Sequence, residues 1–135
     1  RKITKDFRGV LTVENDQTYR DGKMKTLLSF FAECEIHNLS IRATFDIGNG
    51  CWTGEDPYLQ AKKIQPYAGY VHVKDVDVRQ SVPQAASIGE GVIPWREILR
   101  LFPEHVPVAL EYPCGNDPFA KLETELLKLE KTGVC

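Results

Sequence analysis

Hydrophobic and polar residues divide this chain into two alternating kinds of segment. Four short runs rich in β-branched residues are typical of buried β-strands, and the segments between them carry apolar residues at helical spacing. The predicted strands are VLTVE (10–14), IRATFD (41–46), YVHVK (70–74) and PVALEY (107–112). Because strands and helices alternate with connections of this length, the pattern predicts an α/β fold with four parallel strands, right-handed crossovers and covering helices.

Apolar positions and N-terminal signals predict four helices. Asp56 and Asp117 are each followed by proline, the usual arrangement of an N-cap and a first helical residue, and Pro94 opens a shorter helix between them. The chain contains no low-complexity linker, so residues 1–135 are predicted to form a single domain. The apolar positions of the helices, in chain order, are Met24, Leu27, Leu28, Phe31 and Cys34, then Leu59, Ala61 and Ile64, then Trp95, Ile98, Leu99 and Phe102, and finally Phe119, Leu122, Leu126 and Leu129.

The composition limits the class of protein. With 42% hydrophobic and 27% charged residues among 135 positions, the chain can bury a core as one globular domain. No apolar run reaches about 18 residues and no signal peptide pattern is present, so we expect a cytoplasmic protein with no membrane partner. A net charge of −2 with interspersed signs predicts no nucleic acid partner. The four cysteines form no C-x-x-C pair and are expected to be free thiols.

One face of the predicted sheet carries polar residues where an apolar face is expected. Side chains alternate between the two faces of a strand, and a sheet covered on both sides is almost continuously apolar. Here one face is apolar in all four strands, whereas the other ends in a polar residue at or near each carboxyl end. These residues are Glu14, Asp46, His72 and Glu111. Because ligands bind beyond the carboxyl ends of parallel strands, we expect the four side chains to converge at that edge.

This convergence predicts a metal site. Three carboxylates at one edge repel each other, so a cation is expected among them. One imidazole and three carboxylates suit Mn²⁺, Co²⁺, Zn²⁺, Fe²⁺ or Mg²⁺, and no thiolate is present to favour zinc. Taken singly, His72 is more often a satisfied core histidine, and Glu111 is more often a strand-end residue entering a turn. The shared position in four strands favours a metal site held by Glu14, Asp46, His72 and Glu111.

Five motifs carry a resemblance to a known family. VEN (13–15), FDIGN (45–49), HVKD (72–75), IGEGVIPW (88–95) and LEYP (110–113) resemble, in order, the strand-end motifs of the xylose isomerase-like sugar phosphate isomerase/epimerase family. The resemblance extends over essentially the whole chain. It implies a (β/α)₈ TIM barrel of which this chain is the C-terminal half, strands five to eight, with the same four side chains as metal ligands.

The length of the chain raises a question about assembly. A complete barrel of this type needs about 250 residues, so either an N-terminal half is missing or the chain is a free-standing half-barrel. Four strands of a barrel leave two unpaired edges and an open inner face. A free-standing half is therefore expected to form a homo-oligomer, most simply a dimer of half-barrels.

The resemblance also implies a chemistry. It predicts a metal-dependent isomerase or epimerase that acts on a sugar or sugar phosphate by proton transfer next to a carbonyl, through a metal-stabilised enediolate. Glu14 and Glu111, on opposite sides of the substrate, are the expected acid/base pair. Two alternatives stay open: a lyase of the same fold, similar to inosose or dehydroshikimate dehydratases, and a catalytically silent half-barrel that serves only in assembly.

Three further residues are candidates for substrate binding. Asn15 and Asn49 flank two of the predicted ligands and are expected to donate hydrogen bonds to substrate hydroxyls, although both are also typical turn residues. Lys74 follows His72 by two positions and is a candidate for holding a substrate oxygen. A structural ion pair between Lys74 and Asp75 is an equally good explanation.

The segment from Val76 to Gly91 is long for a connection in a compact domain and is predicted to be a lid or binding loop. Arg79 within it is a candidate for binding a substrate phosphate or carboxylate, the alternative being a solvated arginine. Trp52 is expected either to stack on a sugar face or to pack on the helix that follows it.

Overall fold

The computed structural model describes residues 8–131 and residue 133. Its elements alternate between strands and helices, as the sequence predicts. In chain order they are β1 (Leu11–Glu14), α1 (Met24–Ile36), β2 (Ile41–Asp46), α2 (Gly50–Thr53), α3 (Pro57–Ile64), a 3₁₀ turn (Gln65–Tyr67), β3 (Ala68–Val73), β4 (Asp75–Asp77), β5 (Gln84–Ala86), α4 (Trp95–Leu99), β6 (Val108–Leu110) and α5 (Pro118–Glu130).

The four predicted strands form one parallel sheet in the order β1, β2, β3, β6. The register places Glu14 beside Thr44 and Asp46 beside His72, with Ala109 on the far side of His72. Because the strands are parallel and in this register, their carboxyl ends lie at one edge of the sheet. The predicted α/β fold with four parallel strands is confirmed.

The hydrophobic core lies between one face of this sheet and the helices. The buried residues of β2 and β3 on that face pack in one cluster with residues of α1, α3 and α4. Its fully buried members from these elements include Phe31, Phe45, Ile64, Val71, Val73 and Ile98. The apolar side that strand alternation predicts is therefore the covered side, and the polar side of the sheet faces away from the helices.

Helices α1, α3 and α5 each begin where a side-chain carboxylate accepts a hydrogen bond from a backbone N–H of the first turn. The Asp56 carboxylate accepts from the Leu59 N–H at 2.8 Å, and that of Asp117 accepts from the Ala120 N–H at 3.1 Å, so both predicted N-caps are confirmed. Helix α1 has no cap from its own preceding residue. Its first N–H donates instead to the Glu55 carboxylate at 3.0 Å, which ties α1 to the start of α3.

Helix α5 packs differently from the sequence prediction. Phe119 is 85% exposed and Leu126 is 51% exposed, whereas Glu125 and Leu129 are buried. Glu125 is buried because its carboxylate accepts a hydrogen bond from the Ile88 N–H and pairs with Lys128. Leu59 of α3 was also expected to be buried, but it lies on the exposed side of that helix, opposite Ala61 and Ile64.

The long segment after β3 is more ordered than a loop. Strands β4 and β5 form a two-stranded antiparallel hairpin within it. Asp75 fixes the chain that leads from the hairpin to α4, because its carboxylate accepts hydrogen bonds from the backbone N–H groups of Val76, Gly89 and Ile93 at 2.8 to 2.9 Å. The predicted loop is therefore a hairpin followed by an anchored turn.

The polar face of the sheet is open in the described part of the chain. Thr12, Thr44, Tyr70 and His72 line a cavity of about 570 Å³ on this face, and the Thr44 hydroxyl donates to the Thr12 hydroxyl at 2.8 Å. Within residues 8–131, β1 and β6 each have a strand neighbour on one side only.

The cysteines and the character of the helices can also be described. Cys34, Cys51 and Cys114 are free thiols, as predicted, and Cys135 lies outside the described residues. Among the described helices, none has both the length and the apolar character needed to cross a membrane.

Candidate metal centre

Four side chains meet at the carboxyl edge of the sheet. Glu14 ends β1, Asp46 ends β2, His72 lies near the end of β3, and Glu111 directly follows β6. Each offers one ligand atom, and these four atoms all lie within 4.8 Å of one another. The backbone N–H of Glu111 donates to the Val73 carbonyl at 3.0 Å, which continues the strand pairing and keeps Glu111 beside β3.

The imidazole of His72 lies between the two glutamates. Its Nδ1 is 2.5 Å from Oε2 of Glu111 and 3.3 Å from Oε1 of Glu14. The ring of Tyr70 meets the His72 ring edge to face, with centroids 5.4 Å apart, and so supports its orientation. Asp46 is fully buried, whereas half of the Glu111 side chain is exposed, so the cluster has a closed floor and an open side.

The two carboxylate oxygens of Asp46 have different surroundings. Oδ1 accepts from the backbone N–H groups of Gly48 and Asn49 at 2.8 and 2.9 Å. Oδ2 is buried and pairs with the ammonium of Lys74, whose Nζ lies 2.9 Å away, and no other described residue donates a hydrogen bond to it. Burial raises the pKa of the Asp46 carboxyl to about 6, while the charge of Lys74 and the two N–H groups act in the opposite direction.

Asn15 aligns Asp46 through its backbone. The Asn15 side-chain amide donates to the Asp46 carbonyl at 2.8 Å and accepts from the Asp46 N–H at 2.7 Å. This pair of bonds continues the pairing of β1 with β2 beyond the last strand residue. Asn15 is buried and both groups of its amide are engaged, so its observed role is to position Asp46. Substrate binding by Asn15 stays a prediction.

Asn49 links the two acidic strand ends. Its side-chain nitrogen donates to the Asn15 carbonyl at 2.7 Å and lies 3.4 Å from Oε1 of Glu14. Its side-chain oxygen accepts from the amide of Gln17 at 3.1 Å. Asn49 also stands at the start of α2, which agrees with the turn-forming alternative. A substrate contact by this residue likewise stays a prediction.

Lys74 is directed toward the cluster. Its side chain is only 7% exposed, and its ammonium pairs with Asp46. The alternative of an ion pair with Asp75 is wrong for this structure, because the Asp75 carboxylate is occupied by three backbone N–H groups. Lys74 therefore places a positive charge at the floor of the candidate metal centre.

Arg79 lies apart from this arrangement. Its guanidinium donates to the Asp77 carboxylate at 2.6 to 3.0 Å, and its side chain is 82% exposed. These hydrogen bonds lower the pKa of Asp77 to about 2. Two of the three guanidinium nitrogens, Nε and Nη2, donate to Asp77, and the predicted contact of Arg79 with a substrate anion stays a prediction.

A second cavity lies beside the cluster. It has a volume of about 570 Å³, and Lys74, Glu111 and Trp52 line one side of it. Tyr112 and residues 82–85, which lead from the hairpin turn into β5, also line this cavity. Trp52 thus faces a space where a ligand can lie and also contacts the core, which leaves both of its expected roles open.

Some residues that shape the site were not singled out by sequence reasoning. Gln17 supports Asn49, and Gly48 lies against the stem of Lys74, where an added Cβ would come within 2.8 Å of Lys74 Cγ. Asp75 organises the segment that returns to α4. The glycine in FDIGN and the aspartate in HVKD were visible signals, but their spacing alone does not identify which neighbour each contacts.

The residues present fit a divalent cation. One imidazole nitrogen and carboxylate oxygens are suitable donors for Mn²⁺, Zn²⁺ or Mg²⁺. Oδ2 of Asp46 is buried beside the Lys74 ammonium and receives no hydrogen bond from the other described residues, so it is an oxygen that a cation can also satisfy. Asn15 and Asn49, which are not among the proposed ligands, hold Asp46 and Glu14 in place by hydrogen bonds, as is usual around metal ligands.

Comparison with known proteins supports the fold. No family model matches the sequence, and no curated protein is significantly similar to it. Among solved structures, the chain is similar to a xylose isomerase domain protein from Planctomyces limnophilus, with 20% identity and a TM-score of 0.73 over 91% of this chain and 46% of that one. It is also similar to the probable 3-DHS dehydratase AsbF of petrobactin synthesis from Bacillus anthracis, with 14% identity and a TM-score of 0.71 over 90% of this chain and 49% of that one.

The extent of the match shows which part of the barrel fold this chain has. This chain spans about half the length of the two structures, and its four parallel strands with helices correspond to half of a TIM barrel. The predicted resemblance and the half-barrel fold class are confirmed at the level of the fold.

Proposed function

We propose that this chain, which has the fold of half of a xylose isomerase-like TIM barrel, supplies the metal-binding half of a sugar or sugar-phosphate isomerase or epimerase. The observation that carries the proposal is the convergence of Glu14, Asp46, His72 and Glu111 within 4.8 Å at the carboxyl edge of the sheet. That edge is where enzymes of this fold carry their active sites.

The four residues are the proposed ligands of one divalent cation. When bound, such a cation supplies a positive charge that polarises a carbonyl and a neighbouring hydroxyl oxygen. Mn²⁺, Co²⁺, Zn²⁺, Fe²⁺ and Mg²⁺ all suit the donors, and the chain does not select among them. A metal titration of the purified protein by calorimetry is the direct test of this part of the proposal.

The exposure of the acidic residues suggests a division of roles. Asp46 is buried and held by backbone N–H groups, so it is suited to anchoring a cation and unsuited to touching a substrate. Glu14 and Glu111 are the exposed members, on either side of His72. In the proposed reaction one of these carboxylates takes a proton from the carbon next to the carbonyl. The other, as the carboxylic acid, returns a proton to the adjacent carbon in an isomerase, or to the opposite face of the same carbon in an epimerase.

Isotope exchange tests this reaction. The protein is incubated in D₂O with a divalent cation and a panel of ketoses and ketose phosphates, and loss of the proton next to the carbonyl is followed by ¹H NMR. We expect exchange with the wild type and a decrease of roughly 10²–10⁴-fold in E111Q, because an acid/base group is lost. The matched control is E97Q, since Glu97 lies in α4 away from the edge. Exchange in E111Q at the wild-type rate would refute the assigned role.

A dehydratase is the second candidate function. It is favoured by the similarity to a protein described as a probable 3-DHS dehydratase. The same pair of groups would serve a β-elimination, in which one carboxylate removes a proton, and a hydroxyl leaves as water with the proton of the other. The two reactions are separated by their products: an elimination gains ultraviolet absorbance from a new conjugated double bond, whereas an epimerisation conserves mass and gains none.

A silent assembly unit is the third candidate, and it follows from the size of the chain. The chain spans about half of the structures it matches, so contacts from a second half belong to any complete substrate site. We propose that this second half comes from another copy of the chain or from a preceding segment, and that the protein is cytoplasmic. A polydisperse preparation that binds no metal and turns over no substrate would favour the silent unit over both enzymes.

A further inference from the structure

Lys74 has a surrounding that an ordinary surface lysine lacks. Its side chain is 7% exposed, and its ammonium lies 2.9 Å from Oδ2 of Asp46. Burial of a charged side chain is costly unless a counter-charge accompanies it. The fold makes room for this lysine: an added Cβ at Gly48 would come within 2.8 Å of Lys74 Cγ and 3.2 Å of its Cε. A glycine is therefore needed where the lysine stem crosses the β2–α2 turn.

Asp46 has only one oxygen left for a cation. Oδ1 is occupied by the backbone N–H groups of Gly48 and Asn49, which the turn holds in place. Oδ2 pairs with Lys74 Nζ at 2.9 Å, and no other described residue donates a hydrogen bond to it. Two positive groups therefore have the same oxygen as their natural partner. An ammonium and a divalent cation at one oxygen repel each other strongly in a buried site.

We propose that Lys74 is an internal counter-ion that competes with the divalent cation for Asp46 Oδ2 and thereby sets the affinity of the centre. This inference rests on the metal centre of the proposed function. In the metal-free protein the ammonium neutralises the buried carboxylate and keeps the site folded. When a cation binds, the ammonium gives up Oδ2.

The structure contains a second environment for the ammonium. Nζ of Lys74 lies 5.8 Å from the centroid of the Trp52 ring, within the range of a cation–π contact. Trp52 and Lys74 both line the cavity that also includes Glu111. Rotation of the lysine head away from Asp46 therefore leads toward an aromatic face and an open cavity that can receive the ammonium.

Metal affinity is the primary test. Zn²⁺ and Mn²⁺ are titrated into the wild type, K74M and K63M, and the dissociation constants are measured by calorimetry. Lys63 lies on the exposed side of α3, so K63M controls for the loss of one charge. We expect K74M to bind at least about tenfold more tightly than the wild type, because a close positive charge is removed, and K63M to be unchanged. An equal or weaker affinity of K74M overturns the proposal.

The gain in thermal stability on adding metal is a second readout, and a purely structural role of Lys74 would not change it. In EDTA, K74M is expected to melt below the wild type, because the Asp46 carboxylate is buried without a counter-charge. Excess Zn²⁺ is expected to raise the melting temperature of K74M more than that of the wild type. If K74M does not fold in EDTA, K74Q, whose amide can still donate to Oδ2, replaces it. An equal gain in the wild type and the variant overturns the proposal.

The background variant D46N separates the possible failures. If Lys74 acts through Asp46, the K74M substitution has no effect on metal affinity in D46N, whereas an effect of the same size there contradicts the competition. A wild type that binds no cation refutes the proposed metal centre and this inference together. A wild type that binds normally, with K74M unchanged, refutes this inference alone.

Discussion

Asn15 is a residue whose effect reaches the candidate metal centre through another residue. Its amide pairs with both backbone groups of Asp46, at 2.7 and 2.8 Å, and it is buried. In N15A the Asp46 N–H and carbonyl lose these partners in a buried environment. We expect the free energy of unfolding to fall by about 1–3 kcal/mol and the metal affinity to fall by roughly 10–100-fold.

Urea unfolding and metal titration check these two effects. The matched control is N116A, because Asn116 is exposed in the turn before α5. If N15A keeps the wild-type metal affinity while losing stability, Asn15 holds the fold but does not align the ligand.

Cys51 provides a prediction about pH. Burial raises the pKa of its thiol to about 11, and the carboxylates of Asp75 and Asp46 add to the effect. A raised pKa keeps the thiol protonated at neutral pH, and the thiolate is the reactive form. We therefore expect alkylation of Cys51 by iodoacetamide to be slow at pH 7 and to accelerate up to about pH 11. Mass spectrometry of the labelled peptide measures this rate, with C51S as the blank. A rate that levels off near pH 8 would contradict the assignment.

The residues of the site were predictable to different degrees. Strand alternation identified Glu14, Asp46, His72 and Glu111, because side-chain parity and strand direction together determine which residues meet at one edge. The partner of Lys74 could not be predicted. From the sequence, Asp46 and Asp75 were both expected near Lys74. The structure decides between them, because three backbone N–H groups occupy the Asp75 carboxylate.

At the scale of elements, helix α5 shows that periodicity predicts where a helix forms but not which of its residues are buried. The spacing of its leucines predicts a helix and an apolar side, and the helix is present from Pro118 to Glu130. The buried side nevertheless includes Glu125, while Leu126 is half exposed. Periodicity identifies a stripe of residues, but the neighbour available to cover it is set by the tertiary fold. Here that neighbour is the backbone of Ile88 at the end of the hairpin segment.

The β4–β5 hairpin was missed for a related reason. Its strands are three residues each, DVD and QAA, and contain too few β-branched residues to stand out from a loop. The chain on either side of them is held by the Asp75 carboxylate, which accepts hydrogen bonds from the N–H groups of Val76, Gly89 and Ile93. Such an anchor is a single polar residue, and its partners cannot be read from the pattern.

Substitution of Glu125 tests how α5 is held. The carboxylate accepts from the Ile88 N–H at 3.0 Å and pairs with Lys128 at 2.9 Å. In E125A a buried N–H loses its acceptor, so we expect the free energy of unfolding to decrease by about 1–3 kcal/mol. Urea denaturation measures the change, and E123A on the exposed side of the same helix is the control. Equal stabilities of E125A and E123A would show that apolar contacts alone dock the helix.

At the scale of the whole molecule, the proposed ligand set is present in full, whereas the sheet has one uncovered face. All four proposed ligands belong to this chain, and they lie within 4.8 Å of one another. The sheet, in contrast, has a cavity of about 570 Å³ on its uncovered face, and the chain spans about half of the structures it matches. Under the proposed function, we therefore expect this chain to bind metal by itself, whereas substrate selection is expected to depend on what covers the sheet.

The uncovered face leads to a prediction about association. Val10 is 68% exposed at the start of β1 and lines the open cavity together with Thr12 and Tyr70. When the 135-residue chain is purified alone, a second copy is the molecule that can cover this face and pair with the edge strands β1 and β6. We therefore expect a dimer in sedimentation velocity experiments at micromolar concentration. V10K should weaken it, because an edge lysine opposes strand pairing and would be buried on association.

The control for this experiment is V92K, since Val92 is also exposed but lies in the segment before α4, away from the open cavity. A chain that stays monomeric and folded over the whole concentration range would show that the half-barrel tolerates its open face. Such a result would contradict the dimer of half-barrels, and it would leave the proposed metal centre untouched, because all four proposed ligands belong to this chain.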